Sequence, residues 1–269
     1  MQKVVLLDRN AVSLIKAYNK GRRTADTKER IFLNRLRRHD VNWNFISPIL
    51  AINEGQHGRH ESQVEFEKTA RDEAGEIGRF FRSARTDAKF FNEQIDFSEL
   101  SRGFRETNFD IYLEFLKAVT SDVIQPTAPS KRKEKAIKIL EVGDKLGVPR
   151  GHVILLGVIS ALYGNRASVG ILNPRVKGDK HYNALNDLMV VSRIGQLQAS
   201  SFEGQVTFIF ETMDQHLKNF LKHIDICSEV RSETLTSFSR QSVIRYEIRR
   251  NCFSQINDVE FSEVKKLLS

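Results

Sequence analysis

The chain has 269 residues, 40% of them hydrophobic and 28% charged, with 42 Lys and Arg against 34 Asp and Glu for a formal net charge of +8. That length and mixture suit one large globular domain, or one with an elaborate insertion, and exclude a disordered chain. No apolar run approaches the roughly 18 residues of a membrane-spanning helix, and residues 1–7 are too short for a secretory signal, so a cytoplasmic protein is expected.

"VVLL" at 4–7 reads as a short strand buried on both faces, because its apolar residues do not alternate. "AVSLIKAYNKG" (11–21) follows with apolar residues at helical spacing and a stop at Gly21. "ERIFLNRLRRHD" (29–40) predicts a second helix with Ile31, Phe32, Leu33 and Leu36 inward. "VNWNFISPILAINEG" (41–55) predicts a strand, then a helix opened by Pro48 that carries Glu54 early. Residues 60–120 read as Phe-, Glu- and Arg-rich helices, expected to pack or to form a partner surface. "DVIQPTAPSK" (122–131) reads as a linker before a basic helix over 131–146. "HVILLGVISALYG" (152–164) is a core helix or strand, and 173–200 a polar loop leading into a helix. A second buried strand at 206–210 ends in polar residues, and a helix follows it. The tail from 226 shows two helical patterns. Cys227 and Cys252 lack zinc spacing and are too few for a disulfide framework.

This order predicts an α/β fold with a mostly parallel sheet. Binding sites in such sheets gather at the carboxyl ends of strands. Asp8 follows the first strand, and Glu211 and Asp214 follow the second buried one; Glu54 and Asp187 sit on helices. Each acid alone has a plain alternative: a strand-ending turn for Asp8, a helix dipole or cap for Glu54, Asp187 and Asp214. Four carboxylates at one edge would repel one another unless a cation neutralises them, and oxygen ligands select Mg²⁺ or Mn²⁺. Such ions suit phosphodiester hydrolysis. A competing constellation, Glu54, His57 and His60 at three-residue spacing, could hold Zn²⁺ on a helix, but Gly55 and Gly58 weaken a helix there. The basic stretches 20–40 and 129–138 are candidate nucleic-acid contacts, with solvated helix faces as the alternative; Lys180 or His181 in "GDKHY" could meet phosphate.

Four segments resemble the motifs of PIN-domain nucleases, in the family's order: "LLDRNAVSLIK", "SPILAINEG", "NDLMVVSRIG" and "VTFIFETMD". They cover residues 1–56 and about 173–222. The resemblance implies a PIN-like three-layer α/β/α core with a central mostly parallel sheet, formed by 1–60 and 147–225, a helical insertion at 61–146 and a helical C-terminal tail at 226–269. It implies Asp8, Glu54, Asp187 and Asp214 as catalytic metal ligands for Mg²⁺ or Mn²⁺, supported by Asn10 and Thr212. Arg9 departs from the small polar residue usual in the family and is expected, with Arg22, Arg23 and Lys180, to meet nucleic acid. Asp179 and Glu211 are rival acids. The implied function is a metal-dependent nuclease, RNA favoured, in a setting such as a bacterial toxin or phage-defence effector. Further partner options are a protein or antitoxin at the insertion and a second copy of the chain; no membrane is expected. The alternative is a non-catalytic PIN-like module that binds nucleic acid or protein.

Overall fold

Val5, Leu6 and Leu7 are each at most 1% exposed, so the first strand is covered on both faces, as its unbroken apolar run requires. This strand, β1 (Gln2–Leu7), is an inner strand of a four-stranded parallel sheet of order β3-β2-β1-β4 in the computed structural model, which describes residues 2–22, 26–55, 61–93, 108–173, 179–200, 206–231 and 241–268. β2 (Asn44–Ser47) and the two-residue β3 (Arg85–Thr86) lie to one side of β1, and β4 (Val206–Glu211) to the other. The protein is thus α/β, with helices flanking a parallel sheet.

The chain divides into two compact units, Met1–Arg105 with Ser201–Asp214, and Glu106–Ser200 with Gln215–Ser269. These boundaries differ from the expected core, insertion and tail. Residues 63–93 join the sheet unit because α4 (Gln63–Phe80) packs on α1 (Arg9–Asn19) and β3 extends the sheet. Ser62 and Glu65 form a capping box that starts α4. α2 (Thr27–Arg37) buries Phe32, Leu33 and Leu36, whereas Ile31 is 62% exposed, a quarter-turn away from the inward stripe assigned to it. α3 (Ile49–Glu54) follows β2 after Pro48, and Glu54 is its last residue rather than an early one. The small α5 (Ala88–Asn92) completes the described part of this unit.

The second unit is built on α6 (Phe109–Val123), α7 (Pro129–Leu146), α8 (Val153–Leu162), α9 (Arg166–Leu172) and α10 (Lys180–Ser200), with α11 (Gln215–Leu221) and α12 (Asp258–Leu268). The expected linker shrinks to 124–128, because Pro129 opens α7 at its first turn. "VILLGVISAL" is a helix, with all ten residues buried. Among the described residues no single helix is long and apolar enough to cross a membrane.

The tail is helical only in part: α12 is one of the two expected helical segments, but the first half of the tail is strand. β5 (Ile224–Arg231) and β6 (Gln241–Ile248) form an antiparallel pair, with Ile224 opposite Ile248 and Ile226 opposite Tyr246. Ile244, Tyr246 and Ile248 alternate with the exposed Arg245 and Glu247, the period-two pattern of a half-covered strand. The covered face meets α10 at Gly195, where a Cβ would stand 2.9 Å from Ile244 and 3.0 Å from Ile226. Only glycine permits that approach without moving the strands.

Candidate active site

The strand order reverses at β1. The chain steps from β1 to β2 to β3 on one side, then returns to place β4 on the other. The carboxyl ends of β1 and β4 therefore flank the switch point, where open parallel sheets leave a crevice for ligands. Asp8 continues this junction: its amide donates to the Glu211 carbonyl at 3.1 Å, one step beyond the Leu7–Glu211 pair.

Asp8 occupies the N-cap position of α1, yet its side chain makes no capping bond to the helix. A cap would accept from the second or third helical amide. Instead the carboxylate, on a residue only 4% exposed, accepts the Thr212 hydroxyl at 2.6 Å. Thr212 Oγ1 in turn accepts from the Asp214 amide at 2.9 Å and from Asn10 Nδ2 at 3.3 Å, and Asn10 Oδ1 accepts the Met213 amide at 3.0 Å. One donor and two acceptor positions exhaust a hydroxyl's capacity, so Thr212 is fixed in rotation and in place. Asp8, Asn10, Thr212 and Asp214 are thus brought together by β1 and β4.

Two carboxylates, Asp8 and Asp214, act on each other at this corner. Burial pushes the Asp8 carboxyl above its ordinary range; the Thr212 hydroxyl and the Arg9 amide pull it down, the nearby Asp214 charge pushes it up again, and the Arg9 charge lowers it in part. A buried carboxylate beside another is unfavourable without a cation. Glu211 is different. Burial opposes its ionisation too, but the His39 hydrogen bond and the Arg35 charge overcome it and hold the carboxyl below its ordinary range. His39 Nε2 lies 2.9 Å and Arg35 Nη2 2.7 Å from its oxygens, and Arg35 also donates to the Thr212 carbonyl at 3.2 Å. Glu211 is therefore a neutralised brace of the β4 end.

Glu54 is the last residue of α3, the helix that follows β2. No acid lies in the first turn of α3, so the favourable-dipole explanation for Glu54 does not apply. Asp187 belongs to the second unit, half-buried in the middle of α10. That helix starts at Lys180, so neither Asn186 nor Asp187 caps it; Asp179 does, accepting from the amides of His181 at 2.9 Å and Tyr182 at 3.2 Å. Lys180 is exposed at its first position. Arg22 is exposed and pairs with Glu29 at 3.3 Å. Arg9 turns inward to Glu73 and the Ala51 carbonyl. Arg23, His57 and His60 lie outside the described residues. Among the described residues no group of three or more His, Cys, Asp or Glu side chains is gathered to hold a metal.

One buried acid at this edge has no sequence signal. Asp87 follows the two-residue β3, is 8% exposed, and accepts a hydrogen bond from Ser47 at the end of β2. Burial pushes its carboxyl up to about 7, and the Ser47 bond lowers it only in part. The folded protein thus keeps a proton that the unfolded chain, at 3.8, has released. Stability contributed below that value is lost as pH rises towards about 7. Denaturation midpoints measured across that window are expected to decline with pH in the wild type and to decline less in Asp87→Asn; identical slopes would refute the assignment.

Compared with protein-family models, with curated proteins and with solved structures, the chain has no match.

Proposed function

We propose that this protein is a divalent-metal-dependent nuclease, RNA favoured, built on a PIN-like three-layer α/β/α core and acting in the cytoplasm. The observation that carries the reading is the corner of Asp8, Thr212 and Asp214 at the switch point between β1 and β4. A carboxylate buried beside a second one, and held there by a saturated threonine, is costly for folding and has the chemistry of a hard-cation ligand. Asp8 and Asp214 would hold Mg²⁺ or Mn²⁺, with Glu54 as a further ligand that the motif order implies. The ion supplies a more acidic water and stabilises charge developing on phosphate. In this reading Thr212 and Asn10 orient the Asp8 carboxylate, and Arg35 and His39 keep Glu211 from competing for the cation. The excess of basic side chains favours a polyanionic substrate. A toxin or phage-defence setting agrees with the motif resemblance.

The test is cleavage of labelled single-stranded RNA and DNA by purified protein with Mg²⁺, with Mn²⁺ and with chelator. Cleavage that needs the metal and prefers RNA is expected. No metal-stimulated cleavage of either strand would favour the alternative, a non-catalytic module that binds nucleic acid or protein.

A further inference from the structure

Arg9 stands next to Asp8 in sequence but does not point to the open edge. Its guanidinium makes an ion pair with Glu73 of α4, whose side chain is fully buried, and donates to the carbonyl of Ala51 in α3. That carbonyl is in the last turn of a six-residue helix. The amide that would normally reach it, that of Gly55, turns to the Ile52 carbonyl at 3.1 Å instead. Helix ends leave such carbonyls in need of a donor, and an arginine is a suitable one. Gly55 has φ of +76°, so the chain leaves the helix abruptly just after Glu54.

Three elements converge on one side chain. α1 supplies Arg9 directly after Asp8; α3 presents Ala51 three residues before Glu54; α4 anchors the charge through Glu73, with Lys16 Nζ also 3.5 Å from the same Glu73 oxygen. A planar guanidinium can serve a carboxylate and a carbonyl at once, and a lysine ammonium on a flexible stem cannot hold both in fixed geometry.

We propose that Arg9 is a positioning residue: it ties the end of α3 to the start of α1 and so sets the separation of the Glu54 and Asp8 carboxylates. Arg9 contacts no substrate in this role. The inference rests on the metal-site reading above. It also accounts for the one residue of the first motif that departs from the PIN-like pattern.

The experiment compares wild type, Asp8→Asn, Arg9→Lys and the double variant Arg9→Met/Glu73→Met. Replacing both partners of a buried pair by apolar side chains of similar size preserves folding more often than removing one. Mn²⁺ affinity is read by titration, and amide exchange of Asn53, Glu54 and Gly55 by mass spectrometry or NMR. In the double variant, with the fold retained, Mn²⁺ is expected to bind about tenfold more weakly, as for lost support of a metal ligand. Exchange at 53–55 should accelerate while β1 and β4 stay protected. Arg9→Lys, which keeps a charge for Glu73, should show a smaller loss of both and keeps the idea testable if the double variant does not fold. Wild-type affinity and wild-type exchange in a folded variant overturn the proposal. If wild type binds no Mn²⁺, or Asp8→Asn binds it equally well, the metal reading fails; exchange at 53–55 then decides alone, acceleration supporting the Arg9 tie and no change refuting it.

Discussion

Asp8→Asn is expected to abolish metal-dependent cleavage, by on the order of 10³-fold or more, while the fold survives. The substitution keeps shape and leaves an amide oxygen to accept the Thr212 hydroxyl, which now lies 2.6 Å from the carboxylate. It removes the charge that burial and Asp214 both disfavour. The denaturation midpoint in metal-free buffer should therefore hold or rise. That pairing of lost activity with retained stability separates a ligand from a scaffold residue, because sites that hold like charges together are strained for function. Two results would sink it: activity retained in Asp8→Asn, or activity lost together with a collapse of the midpoint. Adding Mn²⁺ sharpens the contrast. A ligand that binds only the folded state raises its stability, so the midpoint should climb with metal in the wild type and stay flat in Asp8→Asn.

Removing the buried end of the α1–α4 ion pair is expected to have the largest effect on stability. Glu73 has no exposed side-chain surface, and Arg9, its partner, keeps only 17%. Glu73→Met leaves the guanidinium with the Ala51 carbonyl but without its ion-pair partner, a cost of about 3–5 kcal/mol for a buried pair broken on one side. Lys16, with 25% of its side chain exposed, can turn to water, which argues for the lower end of that range. Urea denaturation of Glu73→Met and of the double variant with Arg9→Met measures both legs. The double variant should recover most of the loss. A single-variant cost near that of a surface salt bridge, below about 1 kcal/mol, would mean that the pair is solvated after all.

The sequence by itself determined the parts that depend on local chemistry. An unbroken apolar run made β1 a doubly covered strand, Pro48 marked a helix start, and the motif resemblance at Asp8–Asn10 and Thr212–Asp214 pointed to one shared corner. Those signals are short-range: strand burial, turn chemistry and helix spacing are written within a few residues of where they act. What depends on partners far along the chain was decided only by the tertiary structure. Asp179 and Glu211 look like the other acids in sequence, yet one caps α10 and the other is neutralised by Arg35 and His39, residues more than 170 positions away. Arg9 reads as a free cation beside a site and proves to be held by Glu73, a residue that a helical pattern would assign to solvent. Asp87 could not be seen because a two-residue strand carries no periodicity. The antiparallel pair of the tail is not legible locally, because its two strands become recognisable only when their alternating faces meet each other and Gly195 of α10. Propensity and pattern state what a segment can be; which charges are compensated, and which carboxylates are buried beside one another, is settled by burial and by the long-range pairs that burial enforces.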